Sequence, residues 1–338
     1  MKRIYMYPKN DYETLESPNP YVQHVEAVLQ EKHRIINERP NSIGVMEFFL
    51  YLFRADIFFF NWIEDVSVKR FGKIQAVLLP VFLFFARISG KKIIWVLHNL
   101  YSHEESNRAW TRYAFDLMIR RSDLILTHSQ EGLRFLDEKF PVYRAKAIYL
   151  VHPVEEMIKR EPAGDKSYDL FIWGTIHPYK GVIEFLEFIT RSEEYSGIRI
   201  LVSGICPHPA LKEKLQALLT DNIEYRDGFF SMEDIAAMAA KSEFVLFTYN
   251  SESVLSSGSL MDSIRMGSRV IGPEKGAFRD LSNCSFIETY RNFEEIPGII
   301  KKEKQEKKDI SGEIEAFCTE NSWQNFADKL FTNSRGIL

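Results

Sequence analysis

The residues best suited to chemistry are Ser256, Ser257, Gly258 and Asp262. A buried apolar run, 244–247, leads into a polar loop that ends at Ser256-Ser257-Gly258, where a helical pattern begins at once. Small residues between a strand and a helix expose backbone N–H groups at the helix N-terminus, which suits a phosphate. Asp262 lies one turn further on, where a carboxylate can reach a sugar hydroxyl. An ordinary strand-to-helix turn would use the same residues. A second stretch, Gly174-Thr175-Ile176-His177-Pro178-Tyr179-Lys180-Gly181, follows another apolar run. Gly174 permits close backbone approach, and Lys180 supplies a compact positive charge for a diphosphate. A third, His98-Asn99-Leu100-Tyr101-Ser102-His103-Glu104, gathers two His, an Asn and a Glu. His98 can hydrogen-bond a sugar hydroxyl or a leaving phosphate, and Glu104 can act as a base or orient an acceptor. His98 and His103 lack the i, i+4 spacing of a helical ligand pair, so no metal site is expected.

These stretches need strands that end where they begin. The apolar runs 2–7, 55–62, 92–97, 124–127 and 148–151 predict parallel strands in the first half. The runs 169–173, 198–202, 244–247 and 270–271 predict them in the second. Polar residues at the C-terminal edge of such a sheet point into the ligand crevice. The loop after the first strand, through Asn19-Pro20, starts a helix with apolar spacing at Tyr21, Val25, Val28 and Leu29. Asn19 and Tyr21 there could face an acceptor or simply cap the helix. The 226–229 loop, with Arg226, Gly228 and Phe229, should lie on the second sheet's edge and could hold a base. After it Ser231, with Asp234 three residues on, forms an acidic capping box.

Length and composition bound the answer. The chain's 338 residues favour two domains of about 150 residues each. A net charge of −4 argues against a nucleic-acid binder. Cys206, Cys284 and Cys318 show no paired spacing, so neither a zinc site nor a disulfide framework is indicated and a cytoplasmic setting fits. No G-x-G-x-x-G fingerprint follows the first strand, so this half is not a dinucleotide domain by that signal. The start lacks the apolar core of a signal peptide. The run 76–86 is apolar but for Pro80 and too short to span a bilayer. It reads as a buried helix or, given Lys69, Arg70, Lys73, Arg87, Lys91 and Lys92 around it, as a face in peripheral contact with a membrane. The charged segment 155–166 reads as a linker, and the charge run 301–309 as a solvated helix or linker face. The last helical pattern is amphipathic through Trp323, Phe326, Ala327 and Leu330.

Two α/β halves without the dinucleotide fingerprint resemble glycosyltransferases of the GT-B fold, especially family 4 and its mannosyltransferase-like relatives. Gly174 to Gly181 resembles the family's G-R-x-x-x-x-K-G loop. Ser257-Gly258-Ser259-Leu260-Met261-Asp262 resembles its donor loop and ribose-binding helix. The stretch 95–104 resembles the W-x-x-H-N-x-x-x-H-E motif of exopolysaccharide glycosyltransferases, and Ser322-Trp323 the start of a helix that crosses back to the N-terminal domain. Thr175 stands where the family carries Arg, Asp262 where it carries the second of two glutamates, and Val254 where it carries the first, with Glu252 or Ser256 as substitutes.

The resemblance implies an α/β protein of two Rossmann-like domains facing across a cleft. Residues 1–154 with about 321–338 would bind the acceptor, and 155–320 the donor. It implies transfer of a hexosyl group from a UDP- or GDP-sugar to a saccharide acceptor, lipid-linked, in surface polysaccharide synthesis, without a metal or other cofactor. His98, Glu104 and Lys180 would be catalytic. Gly174, Thr175, His177, Arg226, Gly228, Phe229, Glu252, Ser256, Ser257, Gly258 and Asp262 would hold the donor, and Asn19, Tyr21, Asn99 and His103 the acceptor. Two other readings stay open: a catalytically lapsed GT-B protein that binds glycan or nucleotide, and a sugar-nucleotide epimerase of the same fold.

Overall fold

A computed structural model describes residues 1–9, 20–39, 43–100, 108–158, 166–251, 254–306 and 309–338. The chain divides into two compact units, 1–151 with 323–338, and 152–322.

In the first unit, strands β1 (Arg3–Tyr7), β2 (Arg34–Ile35), β3 (Ile57–Asn61), β4 (Lys92–Leu97), β5 (Leu124–Thr127) and β6 (Ala147–Tyr149) alternate with helices α1 (Tyr21–Gln30), α2 (Val45–Tyr51), α3 (Gly72–Ile88), α4 (Arg108–Arg121) and α5 (Gln130–Lys139). All the strands pair in parallel, in the order β2-β1-β3-β4-β5-β6. The pleat sends alternate residues to opposite faces. Ile4, Met6 and Phe59 pack under Val22, Val25 and Leu29 of α1. Tyr5, Phe58 and Phe60 pack on the other face with Phe48 of α2 and Phe82 of α3, and the Phe58 and Phe82 rings lie 4.8 Å apart, edge to face. Each fully buried ring is worth about 2–3 kcal/mol, so these aromatics account for much of the unit's cohesion.

The second unit repeats the plan with β7 (Tyr168–Trp173), α6 (Val182–Ile189), β8 (Ile200–Ser203), α7 (Pro209–Ala217), β9 (Ile223–Arg226), α8 (Met232–Ala240), β10 (Ser242–Leu246), α9 (Gly258–Arg265), β11 (Arg269–Pro273), α10 (Gly276–Asp280), β12 (Ile287–Tyr290), α11 (Ile296–Glu306) and α12 (Ser311–Glu320). Its parallel sheet runs β12-β11-β10-β7-β8-β9. Phe171, Leu201, Val245 and Val270 pack one face against α8, α9 and α12, while Leu170, Ile200, Val202 and Leu246 pack the other against α6 and α11. Helix α13 (Trp323–Asn333) then belongs to the first unit, where Phe326 and Leu330 join the core beside α1.

The capping box expected at Ser231 is present: Asp234 N–H donates to Ser231 Oγ at 3.1 Å, and Ser231 N–H donates to the Asp234 carboxylate at 3.2 Å. Of the charge run 301–309, Lys301, Lys302, Lys304, Gln305, Glu306 and Asp309 are solvated as expected, and Glu303 alone departs. Helix α11 turns Ile296, Ile300 and Glu303 inward at i, i+4, i+7, so Glu303 is buried and pairs with Arg269 at 2.5 Å. Lys304 in turn pairs with buried Asp169. The helical period, not the charge density, decides which of these side chains meets water. The run 76–86 lies inside α3, which Pro80 does not end.

Candidate functional site

In an open parallel sheet the ligand crevice opens at the C-terminal strand ends where the strand order changes direction. In the second unit that place lies between β7 and β10, because the chain lays β8 and β9 to one side of β7 and β10 to the other. Lys180, Gly181 and Thr248 meet there. Thr248 Oγ1 donates to the Lys180 carbonyl at 2.6 Å. Gly181 has φ +68°, and a Cβ on it would lie 2.2 Å from the Thr248 carbonyl oxygen. Asn250 Nδ2 donates to Pro178 O at 3.4 Å. The lysine backbone is thus clamped by the loop after β10, and its side chain turns back over Gly174, with Nζ 3.1 Å from the point a Cβ there would occupy. Burial pulls the Lys180 pKa from 10.5 down to about 8, and among the described residues no carboxylate pairs with it.

The neighbouring loops close against this floor. Gly174 N–H donates to Ser203 O at 2.9 Å, and Gly204 N–H to Arg226 O at 3.0 Å. Gly204 has φ +147°, and a Cβ on it would strike the Gly174 carbonyl oxygen at 2.2 Å. No L side chain fits that conformation and that gap together. His177 stacks on Tyr179 and meets the His208 ring edge-on at 5.6 Å; burial, then Lys180 and His208, hold its pKa below the usual histidine value. Thr175 is half-buried.

After β10 the chain reaches the N-terminus of α9. Ser257 is the N-cap residue, yet its side chain makes no cap bond; its Oγ lies 3.0 Å from the Tyr249 hydroxyl instead. Among the described residues no acceptor meets the amides of Gly258 and Ser259. Ser256 Oγ is buried beside them with no hydrogen-bond partner among the described residues, as is Ser203 Oγ at the end of β8. Buried hydroxyls are rarely left so. Donors without acceptors at a helix N-terminus are an anion site in chemical terms. Asp262, on the first turns of α9, accepts from Arg265 Nε at 2.7 Å, and Arg265 also pairs with Glu155 at 3.2 Å.

One donor-side expectation changes. Arg226 does not leave its guanidinium in the 226–229 loop. It turns along the sheet face to Glu224 at 2.7 Å and the Tyr168 hydroxyl at 3.2 Å, because residues two apart on β9 share a face. Gly228 and the exposed Phe229 follow β9, the edge strand of the sheet. Val254 is buried in the core. Glu252 lies outside the described residues.

In the first unit the corresponding reversal lies between β1 and β3. Asn61, the last residue of β3, is fully buried; its Nδ2 donates to Tyr7 O at 3.4 Å, and its Oδ1 lies 3.1 Å from His98 Nε2. That amide orientation makes His98 Nε2 the protonated nitrogen. The Trp62 ring stacks on His98 at 4.2 Å and 14°, and Tyr21 meets it edge-on at 4.8 Å. Trp62 holds φ 48°, a left-handed conformation that costs a bulky residue about 1–2 kcal/mol. Such strain concentrates at functional sites. Tyr21, expected to face an acceptor, is turned inward: its hydroxyl lies 2.7 Å from His128 Nε2, and His128 Nδ1 lies 2.9 Å from Leu150 O. Nδ1–H therefore donates to the carbonyl, and Tyr21 O–H donates to Nε2. Asn99 is half-buried directly after His98, while Asn19, His103 and Glu104 lie outside the described residues.

The sequence reading missed Asn61, Trp62, His128 and Ser203. Each directly ends or follows an apolar run, which is the signal that singled out His98. Among the described residues no three His, Cys, Asp or Glu side chains converge into a metal-ligand set.

No family model matches the chain, and no curated protein matches it. Solved structures do. Anabaena HepE in complex with UDP is 14% identical, with 100% of each chain covered and a TM-score of 0.66. A glycosyltransferase from Rickettsia africae is 13% identical over 99% of this chain and 98% of its own, at a TM-score of 0.63. The trehalose-6-phosphate synthase OtsA is 11% identical over 100% of both chains, at 0.62. At these identities the likeness establishes architecture: two Rossmann-like domains, the GT-B fold.

Proposed function

We propose that this protein is a glycosyltransferase that moves a hexosyl group from a UDP- or GDP-sugar to a saccharide acceptor. The observation that carries the reading is the second unit's crevice, where half-buried Lys180, the α9 amides that no described residue meets and the buried Ser256 hydroxyl all lie on the C-terminal edge. These groups supply positive potential where a diphosphate would leave. One such preorganised group is worth roughly 3 kcal/mol, about 100-fold in rate. Protein groups meet the charge, so the reading assigns no metal. Asp262 would take the ribose hydroxyls, exchanging or sharing its bond to Arg265. HepE, which has this fold, is solved with UDP and with UDP-glucose, which supports a nucleoside diphosphate as the ligand class.

The first unit's cage is read as the acceptor side, with His98 as the group that hydrogen-bonds a sugar. We extend the reading to a lipid-linked acceptor in surface polysaccharide synthesis, on the cytoplasmic face of a membrane. The test is calorimetric titration with UDP and GDP, followed by a nucleotide-release assay with their sugars. Asp262→Ala should weaken nucleotide binding about tenfold; an unchanged affinity removes the ribose role. The burial of Val254, where the resembling family carries a carboxylate, favours one rival: a nucleotide binder without transfer. Tight nucleotide binding with no release from any sugar tested would select that rival.

A further inference from the structure

Helix α3 carries more apolar surface than its sheet uses. Leu79, Phe82 and Ala86 point into the core. A second stripe, Ile74, Val77, Val81, Phe84 and Ile88, steps along the outer side at alternating i+3 and i+4 and is 43–64% exposed. Helix α2 packs beside it and, with the turn that follows, adds Met46, Leu50 and Phe53 at 55–78%. Together these side chains expose on the order of 1,000 Å² of apolar surface, above the few hundred typical of a soluble monomer.

The surrounding charge is one-sided. From Val66 to Lys92 there are six Lys or Arg and no Asp or Glu, in a chain whose net charge is −4. Among the described residues Lys69, Arg70, Lys73 and Arg87 have no carboxylate partner. Where α2 ends, Arg54 lines a cleft of about 550 Å³ with Arg3, Arg34 and Arg39. Asp56 neutralises Arg3 and Glu38 lines the same cleft, yet Arg34, Arg39 and Arg54 form no ion pair among the described residues. No described helix is long and apolar enough to cross a membrane. A helix of this kind lies in the interfacial plane, apolar side down, with cations at the phosphates.

We propose that the outer α2–α3 face seats the first unit on an anionic bilayer, with the Ile74 to Ile88 stripe at the acyl boundary and the basic residues, including the arginine cleft, on lipid phosphates. This deepens the membrane part of the function proposed above by naming the face and the lipid charge. A second copy of the chain would present the same positive rim to itself, so charge complementarity favours lipid.

The test is sedimentation of the full chain with phosphatidylcholine vesicles, with and without phosphatidylglycerol, alongside a UDP titration. The wild type should sediment with anionic vesicles, bind neutral ones at least about tenfold more weakly, and be released by salt. Phe84→Glu with Ile88→Glu should lose about tenfold or more in anionic binding, as should Lys73→Glu with Arg87→Glu. Both pairs are exposed, and both should keep the wild-type melting curve and UDP titration. Failure of UDP binding with vesicle binding intact would count against the donor site and leave this proposal standing. The proposal is overturned if the wild type ignores both vesicles, if it binds both equally, or if light scattering shows a dimer that Phe84→Glu splits.

Discussion

Replacing Lys180 with methionine separates what the lysine costs from what it does. The stem is kept and the charge removed. Burial has drawn the pKa from 10.5 to about 8, so the folded state disfavours the ammonium by roughly 3 kcal/mol. The sign follows from proton counting. Between about pH 8 and 10.5 the unfolded chain binds the proton that the folded chain has lost, so wild-type stability rises through that window. Below about pH 8 the full penalty is present. Lys180→Met abolishes it, and at pH 7 the variant should be more stable by up to roughly 3 kcal/mol, or up to about 10 °C for a unit of this size. The gap should close as pH approaches 10.5. UDP affinity should move the other way, falling tenfold to a hundredfold with the loss of a charge-assisted contact worth about 1.5–3 kcal/mol. Wild-type affinity should also decline above about pH 8 as the ammonium deprotonates, and Lys180→Arg should hold it constant. Calorimetric unfolding at two pH values, with UDP titration at each, reads all of this. A variant that melts below the wild type at pH 7 refutes the burial argument. One that binds UDP undiminished refutes the phosphate role.

Three further outcomes can be checked. Gly204→Ala must place a methyl 2.2 Å from Gly174 O at φ +147°, and should cost about 3 kcal/mol or more in urea unfolding; a loss under about 1 kcal/mol would show that the two loops are not in contact. Ser256→Ala removes a buried hydroxyl without a partner among the described residues, so the nucleotide-free protein should melt at or slightly above the wild-type temperature while UDP binds several-fold more weakly; a marked destabilisation would mean the hydroxyl is already satisfied. Asn61→Ala removes the Oδ1 that faces His98 Nε2 and strips Tyr7 O of a donor, at a cost of about 1–3 kcal/mol. Its turnover in the release assay should fall at least about tenfold with UDP affinity unchanged, and an equal loss of both would assign Asn61 a purely structural role.

Local patterns in the chain reveal single elements well and their company poorly. Runs such as 93–97 and 170–173 are apolar throughout because both sheet faces are covered, and they read as strands for that reason. Ser231 and Asp234 announce a helix start because a capping box is local. Strand order is not local. That β10 lies beside β7, and so brings Thr248 onto Lys180, depends on pairing across more than sixty residues. Asn61, His98 and His128 gather for the same reason, each from a different strand end. Arg226 and Glu224 alternate with core residues on an edge strand, so their pairing follows from a pleat that the loop-centred reading ignored. In α3 apolar residues surround the axis, and periodicity alone could not say which stripe is covered.

The first unit is assembled from sequence on both sides of the second. Trp323 stacks on His24 and packs against Tyr21, and Phe326 lies against His128, so the last helix finishes the wall around the first unit's histidines. On the ribosome every residue of the second unit emerges before Trp323 does. The usual order of synthesis, N-terminal domain first, is thereby inverted: the later-encoded body can close while the earlier one still waits for its final piece.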